Sequence, residues 1–151
     1  MIIYSKIAVG TDGSESSLSA VRAAASLARV YDAELIIMSA WYGASGSLLN
    51  APHTDVSSLP IVEEEVAEEH LRTAQVVAEE EGAPRITLRK IAGAPATALT
   101  KAVEELGVDL LVVGNKGVNT LTGRVFGNIP TEVVRNSTVN LMIVNTAQHR
   151  I

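Results

Sequence analysis

The chain has 151 residues, of which 47% are hydrophobic and 3% aromatic, and it contains no cysteine. This length predicts one globular domain over residues 1–151, with a core built from aliphatic side chains. The missing cysteines exclude thiol catalysis and cysteine-bound zinc or iron–sulfur sites. The formal net charge is −5, and eight of the 17 acidic residues lie between residues 60 and 82. This acidity and the few aromatic side chains disfavour binding to nucleic acid or to an anionic membrane surface.

The hydropathy pattern contains no targeting or membrane signal. Residues 1–6 lack the basic and apolar regions of a secretory signal, and no apolar run approaches the ~20 residues of a membrane span. We therefore expect a cytoplasmic protein.

The first third of the chain predicts a strand, a helix and a second strand. Residues 7–9 form a short apolar run that ends in a Gly-Thr-Asp-Gly-Ser turn. Ser14 is a good N-cap for an amphipathic helix over residues 15–31. Residues 35–40 predict the second strand. The Gly-, Ser- and Pro-rich segment 43–60 predicts a long loop.

The middle of the chain continues the alternation. Helical periodicity covers residues 61–81, and Gly82 occupies the C′ position. Residues 86–91 alternate between apolar and charged side chains, as an outer strand does. Residues 93–107 predict a helix with Pro95 near its start and a glycine at its end. The run over residues 110–113 is the most apolar strand and is expected inside the sheet.

The last part of the chain predicts a short helix over residues 129–136 and a strand over residues 139–144. Strands that alternate with helices indicate an α/β fold, in which an open parallel sheet has helices on both faces. Ligands of such sheets bind beyond the carboxyl ends of the strands, where the strand order reverses.

A glycine-rich segment, residues 114–128, follows the most apolar strand. Its glycines allow backbone N–H groups to approach an anion, and a following helix adds its positive N-terminus. Lys116 and Arg124 add positive charge, so the segment predicts a phosphate site. Alternatively, the segment is a surface loop whose glycines only form turns. Lys116 and Arg124 would then be ordinary solvated surface charges. The P-loop, Gly-x-Gly-x-x-Gly and Gly-x-Ser-x-Gly motifs are absent from the sequence.

This spacing resembles the nucleotide signature of the universal stress protein family. That signature is Gly, two residues, Gly, nine residues, Gly and then Ser or Thr. Gly114, Gly117 and Gly127 have the same spacing, and Asn128 stands where Ser or Thr is usual. The turn at residues 10–14 also looks like the turn after the family's first strand. The alternation of elements matches along essentially the whole chain.

The resemblance implies a five-stranded, Rossmann-like sheet of the adenine nucleotide alpha hydrolase type, in the order 3-2-1-4-5. It also implies an adenine nucleotide ligand, either ATP, with or without Mg²⁺, or cyclic AMP. It places Asp12 at the ribose, the backbone of Ala40 at the adenine and the glycine segment around the ribose and phosphates. The candidate nucleotide-binding residues are Gly10, Thr11, Asp12, Ala40, Gly114, Asn115, Lys116, Gly117, Arg124, Gly127, Asn128 and Ile129.

Two of these residues have an alternative local role. Asp12 stands in a turn before a helix, where an aspartate often caps backbone N–H groups. Asn128 is a good N-cap, and its amide can also donate to a phosphate oxygen.

The resemblance implies a stress-response and signalling module that binds a nucleotide, rather than a catalyst. The sequence shows no nucleophile–base pair and no carboxylate dyad, so no catalytic residue is assigned, although weak ATP hydrolysis needs no motif. The three histidines lack metal-ligand spacing, so no metal site is expected. One alternative is a nucleotide-independent dimeric interaction protein of the same fold. Another is an adenylyl- or phosphoryl-transfer enzyme that uses the loop at residues 43–60 for a second substrate.

The last strand would lie at a sheet edge in the implied topology. An exposed apolar edge favours pairing with another chain. The resemblance implies dimers formed there, so we expect a homodimer through residues 139–145.

Overall fold

The structure is a computed structural model that describes residues 1–42, 62–115 and 138–145. The predicted loop at 43–60 and the predicted helix at 129–136 lie outside the described residues. The elements in chain order are β1 (Lys6–Gly10), α1 (Glu15–Tyr31), β2 (Glu34–Trp41), α2 (Glu64–Glu80), β3 (Arg85–Ala92), α3 (Pro95–Leu106), β4 (Leu110–Gly114) and β5 (Asn140–Val144). None of the helices in these ranges has the length and hydropathy that a membrane crossing requires.

The five strands form one parallel sheet in the order β3-β2-β1-β4-β5, as the family resemblance implied. The central strand β1 pairs with β2 on one side and with β4 on the other. β3 and β5 are the two edges, as expected for the outer and the last strand. β4 lies inside the sheet, which agrees with its nearly continuous burial.

Local sequence signals account for most helix ends. The Ser14 side chain accepts a hydrogen bond from the N–H of Ser17 and caps α1. Pro95 stands in the first turn of α3, and Gly107 ends that helix in the left-handed conformation at φ 68°. Gly82 follows α2 at φ +91°, as its C′ position predicts.

The predicted start of α2 at residue 61 is wrong, because the helix begins at Glu64. Val62 instead forms an antiparallel bridge with Tyr42. The Tyr42 N–H donates to the Val62 carbonyl at 2.8 Å, and the reverse bond is 3.2 Å long. This bridge requires extended backbone at Val62, which excludes a helical conformation there.

The helices cover both faces of the sheet, as predicted. One face of β1 and β2 packs against α1 and α2 through Ile7, Val9 and Ile37, all fully buried. The other face packs against α3 through Ala8 and Met38. Burying each large aliphatic side chain contributes about 1.5–3 kcal/mol. Two apolar layers therefore hold the strands in place and fix the positions of their carboxyl ends.

Candidate functional site

The carboxyl ends of β1 and β4 form the candidate site. These neighbouring strands end at Gly10 and Gly114. The chain leaves β1 towards β2, whereas β4 lies on the opposite side of β1, so the strand order reverses between the two ends. Parallel α/β sheets bind ligands at this position.

The turn after β1 is anchored by buried hydroxyl groups. The backbone N–H of Thr11 donates to the Met38 carbonyl, and Ser39 Oγ donates to the Thr11 carbonyl, both at 2.9 Å. Thr11 Oγ1 lies 2.9 Å from Ser17 Oγ and accepts from the N–H of Gly13 at 3.1 Å. The side chains of these three hydroxyl residues are buried. The turn is therefore tied to β2 and α1 before any ligand binds.

The carboxylate of Asp12 has a structural role in this turn. Its Oδ1 oxygen accepts a hydrogen bond from the N–H of Ser14 at 3.0 Å, which is the capping role considered above. Within the described ranges, no protein donor is assigned to its Oδ2 oxygen. Asp12 can therefore cap the turn and still offer an acceptor beyond the end of β1. Its predicted ribose contact stays a prediction.

Two glycines allow close packing at the strand ends. A Cβ on Gly10 would lie 3.2 Å from Leu99 Cδ2, and a Cβ on Gly114 would lie 3.3 Å from the carbonyl oxygen of Ser16. Both distances are shorter than most real Cβ contacts. A larger residue at Gly10 would press on the Leu99 side chain of α3, and one at Gly114 would press on the backbone of the first turn of α1.

The remaining described candidates lie at the ends of β2 and β4. Ala40 is partly exposed and follows Ser39, the residue that bonds to the turn. The N–H of Asn115 donates to the Val144 carbonyl at 2.9 Å, and its Nδ2 donates to Asn145 Oδ1 at 3.3 Å. Asn115 thus joins β4 to β5.

Six of the twelve candidate residues lie at or directly after the carboxyl ends of β1, β2 and β4: Gly10, Thr11, Asp12, Ala40, Gly114 and Asn115. The other six lie outside the described residues: Lys116, Gly117, Arg124, Gly127, Asn128 and Ile129. Four further residues, which were not predicted as site residues from the sequence, contact the turn or the strand ends: Ser17, Ser39, Leu99 and His70. Ser17 and Ser39 could have been found from their positions, because a polar residue inside an apolar helix face or strand signals a buried hydrogen bond.

A charged cluster joins α2 to β3. Lys90 on β3 contacts Glu64 Oε2 at 2.7 Å and Glu68 Oε2 at 2.5 Å. The hydrogen bond from Lys90 lowers the pKa of Glu68, and the hydrogen bonds that Lys90 donates to both glutamates raise the pKa of Lys90. Two acidic residues of α2, Glu64 and Glu68, therefore form salt bridges with the sheet. No group of three or more acidic or histidine side chains that could hold a metal ion occurs in the described ranges.

Comparison with known proteins identifies the family. The model described as "Universal stress protein family" matches residues 3–145. Universal stress protein Rv1636 of Mycobacterium tuberculosis strain H37Rv is 38% identical, with 97% of this chain and 99% of that protein covered. Universal stress protein YxiE of Bacillus subtilis is 30% identical, with 94% and 99% covered. A crystal structure of a universal stress protein in complex with cAMP aligns with a TM-score of 0.72 at 37% identity, covering 97% of this chain and 100% of that chain.

Proposed function

This chain belongs to the universal stress protein family, and on that premise we propose that it binds an adenine nucleotide at the carboxyl ends of β1 and β4. The observation that carries the proposal is the juxtaposition of the Thr11–Asp12 turn and Gly114 at the reversal of strand order. The relative crystallised with cAMP, at 37% identity over nearly the whole chain, supports the same ligand class.

The residues at these strand ends can contact different parts of a nucleotide. The Oδ2 oxygen of Asp12, to which no described residue donates, can accept from a ribose hydroxyl, and the backbone at Ala40 can contact the base. The segment from Gly114 onwards would surround the phosphates through its N–H groups, with Lys116, Arg124 and Asn128 as further donors.

We propose cyclic AMP as the preferred ligand over ATP. A cyclic monophosphate carries one negative charge, so the nearby Asp12 and Glu15 carboxylates repel it less than a triphosphate. ATP would need Mg²⁺ to offset that repulsion. Asn128 in place of the usual Ser or Thr also alters the predicted phosphate contacts. In this role the protein is a stress-response signalling module that binds an adenine nucleotide.

Isothermal titration with cyclic AMP and, separately, with ATP–Mg²⁺ tests this proposal. We expect tighter binding of cyclic AMP. Arg124→Ala should weaken binding about tenfold or more, which is the loss expected for a hydrogen bond to a charged group. Arg22→Ala, at an exposed position on α1, is the matched control and should leave the affinity unchanged. Tighter binding of ATP–Mg²⁺ would overturn the cyclic AMP preference, and no binding of either would overturn nucleotide binding.

The two edges of the sheet differ in a way that favours a homodimer through residues 139–145. The β3 edge carries Arg85 and Arg89, and such charges hinder strand pairing. The β5 edge instead exposes Met142 and Ile143, with 37% and 45% of their surface accessible. This observation also supports the second candidate function, a nucleotide-independent dimeric interaction protein. Failure of both nucleotides to bind a dimeric protein would favour that second function.

A further inference from the structure

His70 of α2 packs directly on the turn that carries Asp12. A Cβ built on Gly13 would lie 2.5 Å from Cδ2 and 2.7 Å from Nε2 of His70, so no side chain fits between the imidazole and the turn. Gly13 also has a φ of +83°, which favours glycine. The backbone of the turn and the imidazole ring are therefore in contact at this one position.

The contact joins the candidate site to an element that the hydroxyl network does not reach. Thr11, Ser17 and Ser39 tie the turn to α1 and β2. His70 adds a contact from α2, which follows β2 after residues outside the described ranges. The conformation of the turn thus depends on where α2 lies.

Hydrogen bonding does not explain a histidine at this position. Its Nδ1 atom is buried, and it has no hydrogen-bond partner in the part of the chain that the structure describes. A buried polar atom without a partner reduces stability, so an apolar side chain would serve the fold better. The flat ring of His70 lies against Gly13, and this packing contact is the interaction that the side chain makes with the turn.

We propose that His70 is a positioning residue of the nucleotide site. By packing on Gly13, the ring holds the β1–α1 turn, and with it Asp12, in the conformation that binds the ligand. Nucleotide occupancy and the position of α2 are coupled through this contact. The inference rests on the nucleotide binding proposed above.

A double-mutant cycle on nucleotide affinity tests the contact. The ligand is cyclic AMP or ATP–Mg²⁺, whichever the unaltered protein binds more tightly. We expect His70→Ala to weaken binding about five- to twentyfold. Gly13→Ala should weaken it too, through its φ and the clash with the ring. In the combined variant the methyl group occupies space left by the ring, so the loss should be clearly smaller than the product of the single losses.

Further variants distinguish an effect on the position of the turn from a general loss of folding stability. His70→Phe keeps a flat ring and should retain the affinity within about twofold. Gly82, at φ +91°, has the same kind of contact with Arg29, because a Cβ there would lie 2.9 Å from Arg29 Cδ. Gly82 follows the C-terminal end of α2, and Arg29 lies in the last turn of α1. We use Gly82→Ala and Arg29→Ala as the matched pair. They should lower the unfolding midpoint without changing nucleotide affinity.

Two results would overturn the inference while leaving the proposed function intact. One is a His70→Ala variant that binds nucleotide as the unaltered protein does. The other is a pair of losses that simply multiply in the combined variant. If His70→Ala does not fold, His70→Gln, which removes the ring but keeps a polar side chain, answers the same question. An unaltered protein that binds neither nucleotide would overturn the proposed function itself, and the positioning role with it.

Discussion

Gly114, the last residue of β4, lies against Ser16 in the first turn of α1. A Cβ on Gly114 would be 3.3 Å from the Ser16 carbonyl oxygen and 3.5 Å from its Oγ. The end of β4 and the start of α1 are thus in contact beside the turn that holds Asp12. The geometry of the proposed nucleotide site depends on this contact.

Gly114→Val should impair nucleotide binding more than it impairs folding. The added side chain must push away the first turn of α1, and overpacking of this kind costs about 1–3 kcal/mol of unfolding free energy. We expect a loss of nucleotide affinity of more than tenfold by titration, with a folded far-UV spectrum. Ala92→Val, at the exposed carboxyl end of β3, is the matched control and should retain affinity. Equal affinities for both variants and the unaltered protein would exclude Gly114 from the site.

Asp12→Asn distinguishes a ligand contact from a capping role. The asparagine carbonyl can still accept from the N–H of Ser14, so the unfolding free energy should change by less than about 1 kcal/mol. The amide nitrogen cannot accept from a ribose hydroxyl, so affinity should fall about tenfold. Titration calorimetry and urea unfolding on the same samples measure both effects. Unchanged affinity would leave Asp12 with only its capping role.

Lys90→Met should lower the melting temperature in a pH-dependent way. The pKa of Glu68 is lowered from 4.5, so its contribution is present above that pH and is lost as the pH falls through the folded value. The pKa of Lys90 is raised from 10.5, so its contribution is present below that pH and is lost as the pH rises through the folded value. The difference between variant and unaltered protein should therefore be largest from about pH 5 to pH 10.

Thermal melts at pH 3, 7 and 11 measure this difference. These side chains are partly exposed, so the effect at pH 7 should be small and should shrink in 0.5 M NaCl, an ionic strength of about 0.5 M. Lys101→Met, at an exposed position on α3, controls for the loss of one positive charge. A difference that is independent of both pH and salt would show that Lys90 acts through packing alone.

Ile143→Asp should convert the proposed dimer to a monomer. A charge on β5 opposes the pairing of two apolar edges. We expect a dimer mass for the unaltered protein and a monomer mass for the variant by light scattering at micromolar concentration. Val76→Asp places the same charge on an exposed valine of α2 and should leave the mass unchanged. A monomeric unaltered protein would count against a dimer through residues 139–145.

The local pattern of the sequence determined most element ends, because these depend on neighbours within about one turn of the chain. Ser14, Pro95, Gly82 and Gly107 have the capping and turn roles that their positions predict. The apolar runs also predicted the interior position of β4. The strand order came from the family resemblance, since alternation alone predicts a parallel sheet without its order.

Tertiary structure decided what depends on residues far apart in the chain. The bridge between Tyr42 and Val62 delays the start of α2 to Glu64, although the periodicity favours an earlier start. Lys90 pairs with Glu64 and Glu68, which lie 26 and 22 residues away in the chain. His70 reaches Gly13 only because α1 and α2 pack on the same face of the sheet. These pairs form because the packing of the whole core brings their elements together. They cannot be predicted from the residues that neighbour them in the chain.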